Sequence, residues 1–507
     1  MSLYVIFSGL QLTQHYSQET CSPARGALLT GRYPIHLGLQ SGPIKSEMPW
    51  GLPLDETTLP QVLQQYNYST HAVGKWHLGF HKRRFTPIYR GFDDFFGMYQ
   101  GKNDYFTHGF EGRGFDLRTN KFDENGNIID DLRWDLVGQY NTYLYSQHTI
   151  DIISKMKAQD NPFFIYLAYQ SVHAPYSVPQ SYVDKYASHF GGKTQQQFAG
   201  MVSAMDEGIG NITRVLKESG QDKNTIVVFT SDNGGRVNCI MGEETFSSNY
   251  PYRGGKKSLY EGGIRTPTFV WSPGRIMPGK SDAMFHITDW FPTLWNQASQ
   301  QGKLTPNNLI NPHKLDGFNQ WLVILQRASS NRTEFVVNID EVPTFCGHQV
   351  PIGAVRWMNW KLILGGGGPP FGWYPDSQPR EMGYYCNHDY TNHIELYDII
   401  KDPSEKRNVQ HLYPDIVDFL TMKLRAYNST AIPALRLQSF DPSDSDPRKF
   451  NNTWMPWNDG TKEQRVPKLE KIKIDEFQKA DKKAEQNLHT GPDDCSHESL
   501  NLLLSYM

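Results

Sequence analysis

The sequence predicts an α/β fold, a large mixed sheet flanked by helices, followed by a small antiparallel domain, and three observations carry that prediction. Apolar, β-branched runs alternate with helical patterns along most of the chain. Each run ends in a polar loop holding Lys, His, Asp or Asn. Beyond residue 326 the pattern changes to short strands separated by turns and closed by one helix. A chain of 507 residues exceeds what one core usually supports. The expected division is therefore a larger domain over 1–326, a smaller one over 327–439, and an extended, partly disordered tail over 440–507.

In chain order, the first informative stretch runs from Cys21 to Arg32. Ser22 as a possible N-cap, Pro23 in the first turn and the stopping Gly31 predict a short helix with Cys21 at its start. A nucleophile there meets free backbone N–H groups and a partial positive charge, and Arg25 adds a cation one turn on. Taken alone, the stretch also fits a buried structural cysteine. Residues 59–66 have helical spacing, and 70–73 read as a strand running into Gly74-Lys75-Trp76-His77-Leu78-Gly79. Ile150, Ile153 and Met156 mark the inner side of a second helix. The apolar run 163–169 follows, then Gln170-Ser171-Val172-His173-Ala174-Pro175. Residues 198–216, with Met201, Ile209, Ile212 and Leu216 at helical spacing, predict a long helix stopped by Gly220. The strand 225–230 leads into Ser231-Asp232-Asn233-Gly234-Gly235. Lys75, His77, His173, Asp232 and Asn233 thus all fall at strand ends, which in such a sheet converge on one ligand-binding rim.

In the second domain, residues 335–339, 354–356, 360–364 and 395–399 read as short strands, with 415–427 as a helix packed on them. From 440 onward proline, asparagine and then charged residues dominate, the composition of a loosely attached tail.

Totals exclude several classes. Lys and Arg number 50 against 53 Asp and Glu, so no basic excess points to nucleic acid. No apolar run approaches the roughly 20 residues of a membrane span, so no transmembrane segment is expected. The 5 cysteines fit one functional thiol plus up to two disulfides, with the pairing among Cys239, Cys346, Cys386 and Cys495 open. Asn-x-Ser/Thr triplets at Asn67, Asn211, Asn331, Asn428 and Asn451 make a secretory route plausible. The opening Met1-Ser2-Leu3-Tyr4-Val5-Ile6-Phe7 has no basic n-region or cleavage site, so either the protein is cytosolic or its true start lies upstream.

Two histidines, several cations and an Asp-Asn pair around a helix-start cysteine call for an anionic substrate, proton transfer and a hard metal ion. Oxygen ligands suit calcium or magnesium better than zinc. Cys21-Ser22-Pro23-Ala24-Arg25 with Thr30-Gly31-Arg32, and Gly74-Lys75-Trp76-His77-Leu78-Gly79, resemble the two signatures of the type I, formylglycine-dependent sulfatases, whose fold is that of alkaline phosphatase. The His173 and Asp232 loops, Arg253-Gly254-Gly255-Lys256 and Glu261-Gly262-Gly263-Ile264-Arg265 resemble further blocks of that family. Residues 73–79, 200–206 and 315–318 are most similar to its arylsulfatase B branch, the N-acetylgalactosamine-4-sulfatases.

That resemblance implies a sulfuric ester hydrolase acting on a sulfated sugar, lysosomal or secreted. It implies that the formylglycine-generating enzyme converts Cys21 to formylglycine, whose hydrate is the nucleophile. Carried over by position, Arg25 holds the formylglycine, while Lys75 and Lys256 bind sulfate oxygens. Alignment on Arg253-Gly254 and Ser258-Leu259 selects Lys256 over Lys257. His77 takes a proton from the second hydroxyl, and His173 binds sulfate and assists the leaving oxygen. Asp232, Asn233 and the modified Cys21 hold one Ca2+. A Cys346–Cys386 disulfide is expected from their shared domain. The family also carries an Asp-Asp pair before the cysteine as further metal ligands, on a first buried strand. Neither precedes Cys21, and Asp93-Asp94 is no substitute. The expectation is an incomplete chain missing that strand, and it leaves two alternatives: a non-catalytic, anion-binding homologue, or a phosphatase or phosphodiesterase of the same fold.

Overall fold

The computed structural model describes residues 8–110, 114–157, 161–237, 246–301, 314–340, 344–345, 348–349, 352–368, 372–373 and 393–459. Its first strands, β1 (Leu10–Leu12) and β2 (His15–Tyr16), lead into helix α1 (Cys21–Thr30). After α2 (Leu59–Gln64) come β3 (Ser69–Lys75), β4 (Asp94–Met98), β5 (Arg118–Phe122) and β6 (Ile128–Leu132). Next are α3 (Asn141–Met156), β7 (Phe163–Ala168), α4 (Gln180–Asp184), the long α5 (Lys193–Glu218) and β8 (Val227–Thr230). The short α6 (Glu261–Ile264), β9 (Thr268–Trp271), β10 (Gly279–Ser281), β11 (Phe285–His286), α7 (Trp290–Gln301) and α8 (Trp321–Ile324) close the first domain.

Most of these strands form mixed sheets in two blocks, while β2 and β11 pair in a separate parallel ladder. One has the order β6-β5-β4-β3-β7, with β3 parallel to both β4 and β7. The other has the order β10-β1-β9-β8, with β1 parallel to β10 and antiparallel to β9. Among the described residues no ladder joins β7 to β8, and both strands are half-buried along most of their length. Phe163, Ile165 and Leu167 of β7 nevertheless share an apolar cluster with Val227 and Phe229 of β8, Ile212 and Leu216 of α5, and Trp271. Helix α1 lies on the second block, with Ala24 and Ala27 packed among Leu10, Val270, Phe285 and Trp290. Burying each large side chain there contributes about 1.5–3 kcal/mol, which fixes α1 and therefore Cys21.

The second domain follows the expected pattern. Strands β12 (Glu334–Asp340), β15 (Ile352–Trp357), β16 (Trp360–Leu364) and β17 (Ile394–Asp398) form an antiparallel sheet in that order, and a two-residue ladder joins β13 (Thr344–Phe345) to β14 (His348–Gln349). Helix α9 (Pro414–Asn428) packs its Leu420 and Leu424 on the sheet, which in turn buries Tyr16, Tyr33, Leu259 and Tyr260 of the first domain. After α9 the chain returns to the first domain: Ile432 N–H donates to the Ile35 carbonyl (2.9 Å) and Leu435 N–H to Gly38 (2.9 Å).

Residues 440–459, expected as the start of a loose tail, are instead packed on the first domain. Trp454 is buried in the cluster of Phe80 and Tyr99, its N–H donates to the Phe115 carbonyl at 3.0 Å, and Asn458 N–H donates to His81 at 2.8 Å. Three aromatics, Phe440, Trp454 and Trp457, provide anchors that the polar composition concealed. The remainder of the expected tail lies outside the described residues, as do Cys239, Cys346, Cys386 and Cys495 and hence the expected disulfide.

Candidate active site

Cys21 is the first residue of α1, yet the cap differs from the expectation. Thr20, in extended conformation, is the N-cap and makes no side-chain capping bond. Ser22 is drawn elsewhere: its hydroxyl donates to the His77 carbonyl at 2.8 Å and accepts Ile44 N–H at 3.0 Å. That exchange clamps the helix start to the loop after β3. At the other end Gly31 adopts the left-handed conformation (φ 69°), and its N–H donates to the Ala27 carbonyl.

The predicted residues converge from the start and first turns of α1, from the end of β3 and from the loops that follow β3, β7 and β8. Lys75 is the last residue of β3, where Gly74 (φ 99°) permits close approach: a Cβ there would lie 2.1 Å from the Ala168 carbonyl oxygen of β7. Arg25 binds three elements at once. Its Nε and Nη2 donate to Asp232 Oδ2 (3.1 and 2.9 Å), and Nη1 donates to the Lys75 carbonyl (2.8 Å) and the Tyr166 hydroxyl (3.2 Å). Expected against the nucleophile, the guanidinium is thus committed to Asp232 while remaining within electrostatic reach of Cys21. The buried Cys21 thiol lies 3.4 Å from Asn233 Oδ1, to which it donates, and 3.5 Å from Lys256 Nζ. Lys256 Nζ also donates to His173 Nε2 at 3.1 Å.

Both histidines have defined proton positions. His173 Nδ1–H donates to the Ala174 carbonyl at 2.8 Å, leaving Nε2 as the acceptor for Lys256. His77, in left-handed backbone conformation (φ 57°), donates Nε2–H to the Ile44 carbonyl at 2.9 Å. Its Nδ1 lone pair is buried and has no partner among the described residues.

Electrostatics follow from three cations around one carboxylate. Burial alone would raise the Asp232 pKa, but Arg25, Lys75 and Lys256 together hold it below the usual carboxylate range. Burial, then Arg25 and Lys256, lower the Lys75 pKa against the opposing pull of Cys21 and Asp232. His77 and His173 are pushed well below their ordinary value, first by burial and then by the neighbouring lysines. The resting site therefore carries more positive than negative charge and neutral imidazoles, an arrangement suited to an oxyanion.

The expected calcium ligands do not make a cation site. Asp232 Oδ2 is occupied by Arg25 and lies 3.9 Å from Lys75 Nζ, and Asn233 Oδ1 accepts the thiol. The described residues supply one carboxylate and one amide oxygen amid three cations, whereas calcium takes six to eight oxygens. No group of three or more His, Cys, Asp or Glu suited to a metal occurs among the described residues.

Some participants carry little signal in the sequence. Tyr166 belongs to an apolar run, and its hydroxyl is the polar tip that meets Arg25. Ser22 fits a cap in sequence but serves the His77 loop instead, and Ile44 gives no signal because its backbone N–H and carbonyl make the contacts.

With this geometry in place, comparison with known proteins is informative. The sulfatase family profile matches residues 4–299. The chain is 36% identical over 474 residues to arylsulfatase J of Mus musculus, covering 89% of this chain and 74% of that protein. It is 29% identical over 453 residues to N-acetylgalactosamine-6-sulfatase of Homo sapiens, covering 84% and 80% respectively. Among solved structures it resembles Ps i-CgsB in complex with k-i-k-neocarrahexaose, with TM-score 0.68, 25% identity, and coverage of 85% of this chain and 87% of that one. No described helix is long and apolar enough to cross a membrane.

Proposed function

The chain belongs to the sulfatase family, and on that premise we propose that it hydrolyses the sulfate ester of a glycosaminoglycan-type sugar, with N-acetylgalactosamine 4-sulfate as the finer reading. The observation that carries this proposal is that Lys256 Nζ meets both Cys21 Sγ (3.5 Å) and His173 Nε2 (3.1 Å), beside the buried Lys75 and Arg25. Formylglycine made from Cys21 would supply, as its hydrate, a nucleophilic hydroxyl for sulfur and a second hydroxyl whose deprotonation would return the aldehyde and free the sulfate.

The protein's own residues do the rest. Lys75 and Lys256 bind the sulfate oxygens and offset the charge that builds as the ester bond breaks, without reorganising at that moment. Arg25 pins Asp232 and the strand ends so that both lysines face one point. His77 is fixed by its Nε2–H with Nδ1 open, so it accepts a proton at Nδ1. The Lys256–His173 pair holds the proton that the leaving oxygen needs. In this reading the Asn-x-Ser/Thr triplets mark a protein of the secretory route, where the formylglycine-generating enzyme would meet it.

Mass spectrometry of the Cys21 peptide from a competent secretory host, followed by assay of an aryl sulfate against an aryl phosphate, tests the proposal. Aldehyde or hydrate at residue 21 with sulfate release is the expected result. Unmodified cysteine, or preferential phosphate release, overturns it. A second reading is favoured by the thin oxygen set beside Cys21: an anion-binding protein without turnover. In that case inorganic sulfate still raises the melting temperature while the aryl sulfate stays intact.

A further inference from the structure

Next to the catalytic recess the chain collects basic side chains that the proposed reaction does not use. Lys257 follows Lys256 in a turn closed by Ser258 N–H to the Gly255 carbonyl (2.9 Å), with its own backbone left-handed (φ 79°). Its own N–H donates to the Glu19 carbonyl at 2.9 Å, two residues before Cys21. Lys45 is exposed and follows Ile44, whose backbone binds both His77 and Ser22. Arg436 comes from the segment that returns after the second domain. Leu435 N–H fixes that segment on Gly38, and Arg436 Nη1 donates to the Ser41 carbonyl at 3.1 Å.

Arg236, just beyond the Asp232 loop, completes the group: Arg236, Lys256, Arg436 and Lys45 all act electrostatically on Lys257. Four stretches distant in sequence therefore bring cations within electrostatic reach of one another around Lys257. Among the described residues, Asp340 accepts the Ser41 hydroxyl, Glu19 accepts Asn338 Nδ2–H, and Glu47 lies 4.0 Å from Lys45 Nζ. Among the described residues Lys257 pairs with no carboxylate, and it keeps solvent access, yet burial and then its basic neighbours bring its pKa down to about 8. Like charges gathered at a solvent-open recess repel one another, and an anion seated among them relieves that repulsion.

We propose that Lys257, Arg436 and Lys45 form a second anion subsite, which takes an oxyanion on the sugar next to the one being desulfated. The substrate class this selects is a polyanionic oligosaccharide, in which the second group is a sulfate or a uronate carboxylate. The proposal rests on the sulfated-sugar reading above, and it adds that chain length and charge beyond the scissile sulfate contribute to affinity.

Isothermal titration tests it with two ligands: a monosulfated N-acetylgalactosamine, and an oligosaccharide that adds a neighbouring uronate or sulfate. Lys257→Ala and Arg436→Gln are each expected to weaken the oligosaccharide by about three- to tenfold, with the monosulfated sugar changed less than about twofold. Raising the salt concentration narrows the difference between the two ligands. A carboxyl-reduced oligosaccharide and one desulfated at the second sugar identify which group is held. Equal loss for both ligands, or no loss for either in variants with unchanged melting temperature, overturns the subsite. Where turnover is measurable, the variants raise KM for the oligosaccharide and leave kcat unchanged. Because titration does not need turnover, ligand discrimination without hydrolysis sinks the sulfatase reading alone, whereas hydrolysis without discrimination sinks the subsite alone.

Discussion

Lys361 and Lys75 are both buried lysines, and their surroundings treat them in opposite ways. At the junction of the two domains, Lys361 Nζ lies 3.1 Å from Glu261 and 2.8 Å from Glu405, and all three side chains are fully enclosed. Nearby, Arg332 pairs with the equally buried Asp289. At the candidate site, Asp232 at 3.9 Å is the only carboxylate paired with Lys75 among the described residues, and Arg25 already holds the same oxygen. The junction supplies each cation with its own acceptors; the site gathers cations around one shared carboxylate. Charge matched internally serves the fold, while charge left in excess serves a ligand that is not part of the chain.

The largest expected effect separates these two lysines by stability. Lys361→Met leaves Glu261 and Glu405 buried against each other and should cost about 3–5 kcal/mol, read by denaturant unfolding. Lys75→Met removes one of several mutually repelling cations and should leave stability unchanged or slightly higher. Comparable destabilisation by both substitutions would erase the distinction between junction and site.

Activity gives the next effect. Lys256→Ala should lower kcat for an aryl sulfate by about a hundredfold, close to 3 kcal/mol in activation free energy, with no fall in melting temperature. A loss of melting temperature matching the loss of rate would instead make Lys256 a structural residue. The complement is ligand stabilisation. Inorganic sulfate at about a hundred times its Kd should stabilise the protein by about 2.7 kcal/mol, and Lys75→Met or Lys256→Ala should reduce that gain while Arg332→Lys should not.

The contrast also explains what sequence could reveal. Strand β3 ending at Lys75 and β8 ending before Asp232 were legible because an apolar run followed by a polar loop is a local pattern, and the fold brings such loops to one rim. Cys21 at a helix start was legible from Pro23 and Gly31, but its cap moved to Thr20 because the Ser22 hydroxyl is needed by the His77 carbonyl, a partner 55 positions away. Arg436 was hidden for the same reason: only the return of the chain onto Gly38 carries it to the recess. Residues 440–459 read as polar tail because three aromatic anchors weigh little in a composition and much in a packed cluster. Local propensity is written in consecutive residues, whereas these contacts depend on the completed fold.

The smallest effect compares two histidines. His15 is buried in the frame: its Nε2 accepts the Trp290 indole N–H at 3.0 Å, so Nδ1–H donates to Thr266 at 2.9 Å. Burial lowers its pKa to about 3 from 6.5. The folded state then binds fewer protons than the unfolded state between those values. Stability is therefore fully present above pH 6.5 and falls as the pH drops toward 3, by on the order of 0.5–1 kcal/mol from pH 7 to 6. His15→Gln should remove that part of the slope. His77 is lowered by burial too, but also by Lys75, Arg25 and Lys256. Sulfate bound among those cations cancels their repulsion of an imidazolium, so the pKa of His77 should rise on sulfate addition and that of His15 should not. NMR titration of the two ring signals with and without sulfate measures the difference. A parallel shift of both would mean that the anion acts through the whole fold, and an unmoved His77 would mean that it binds elsewhere.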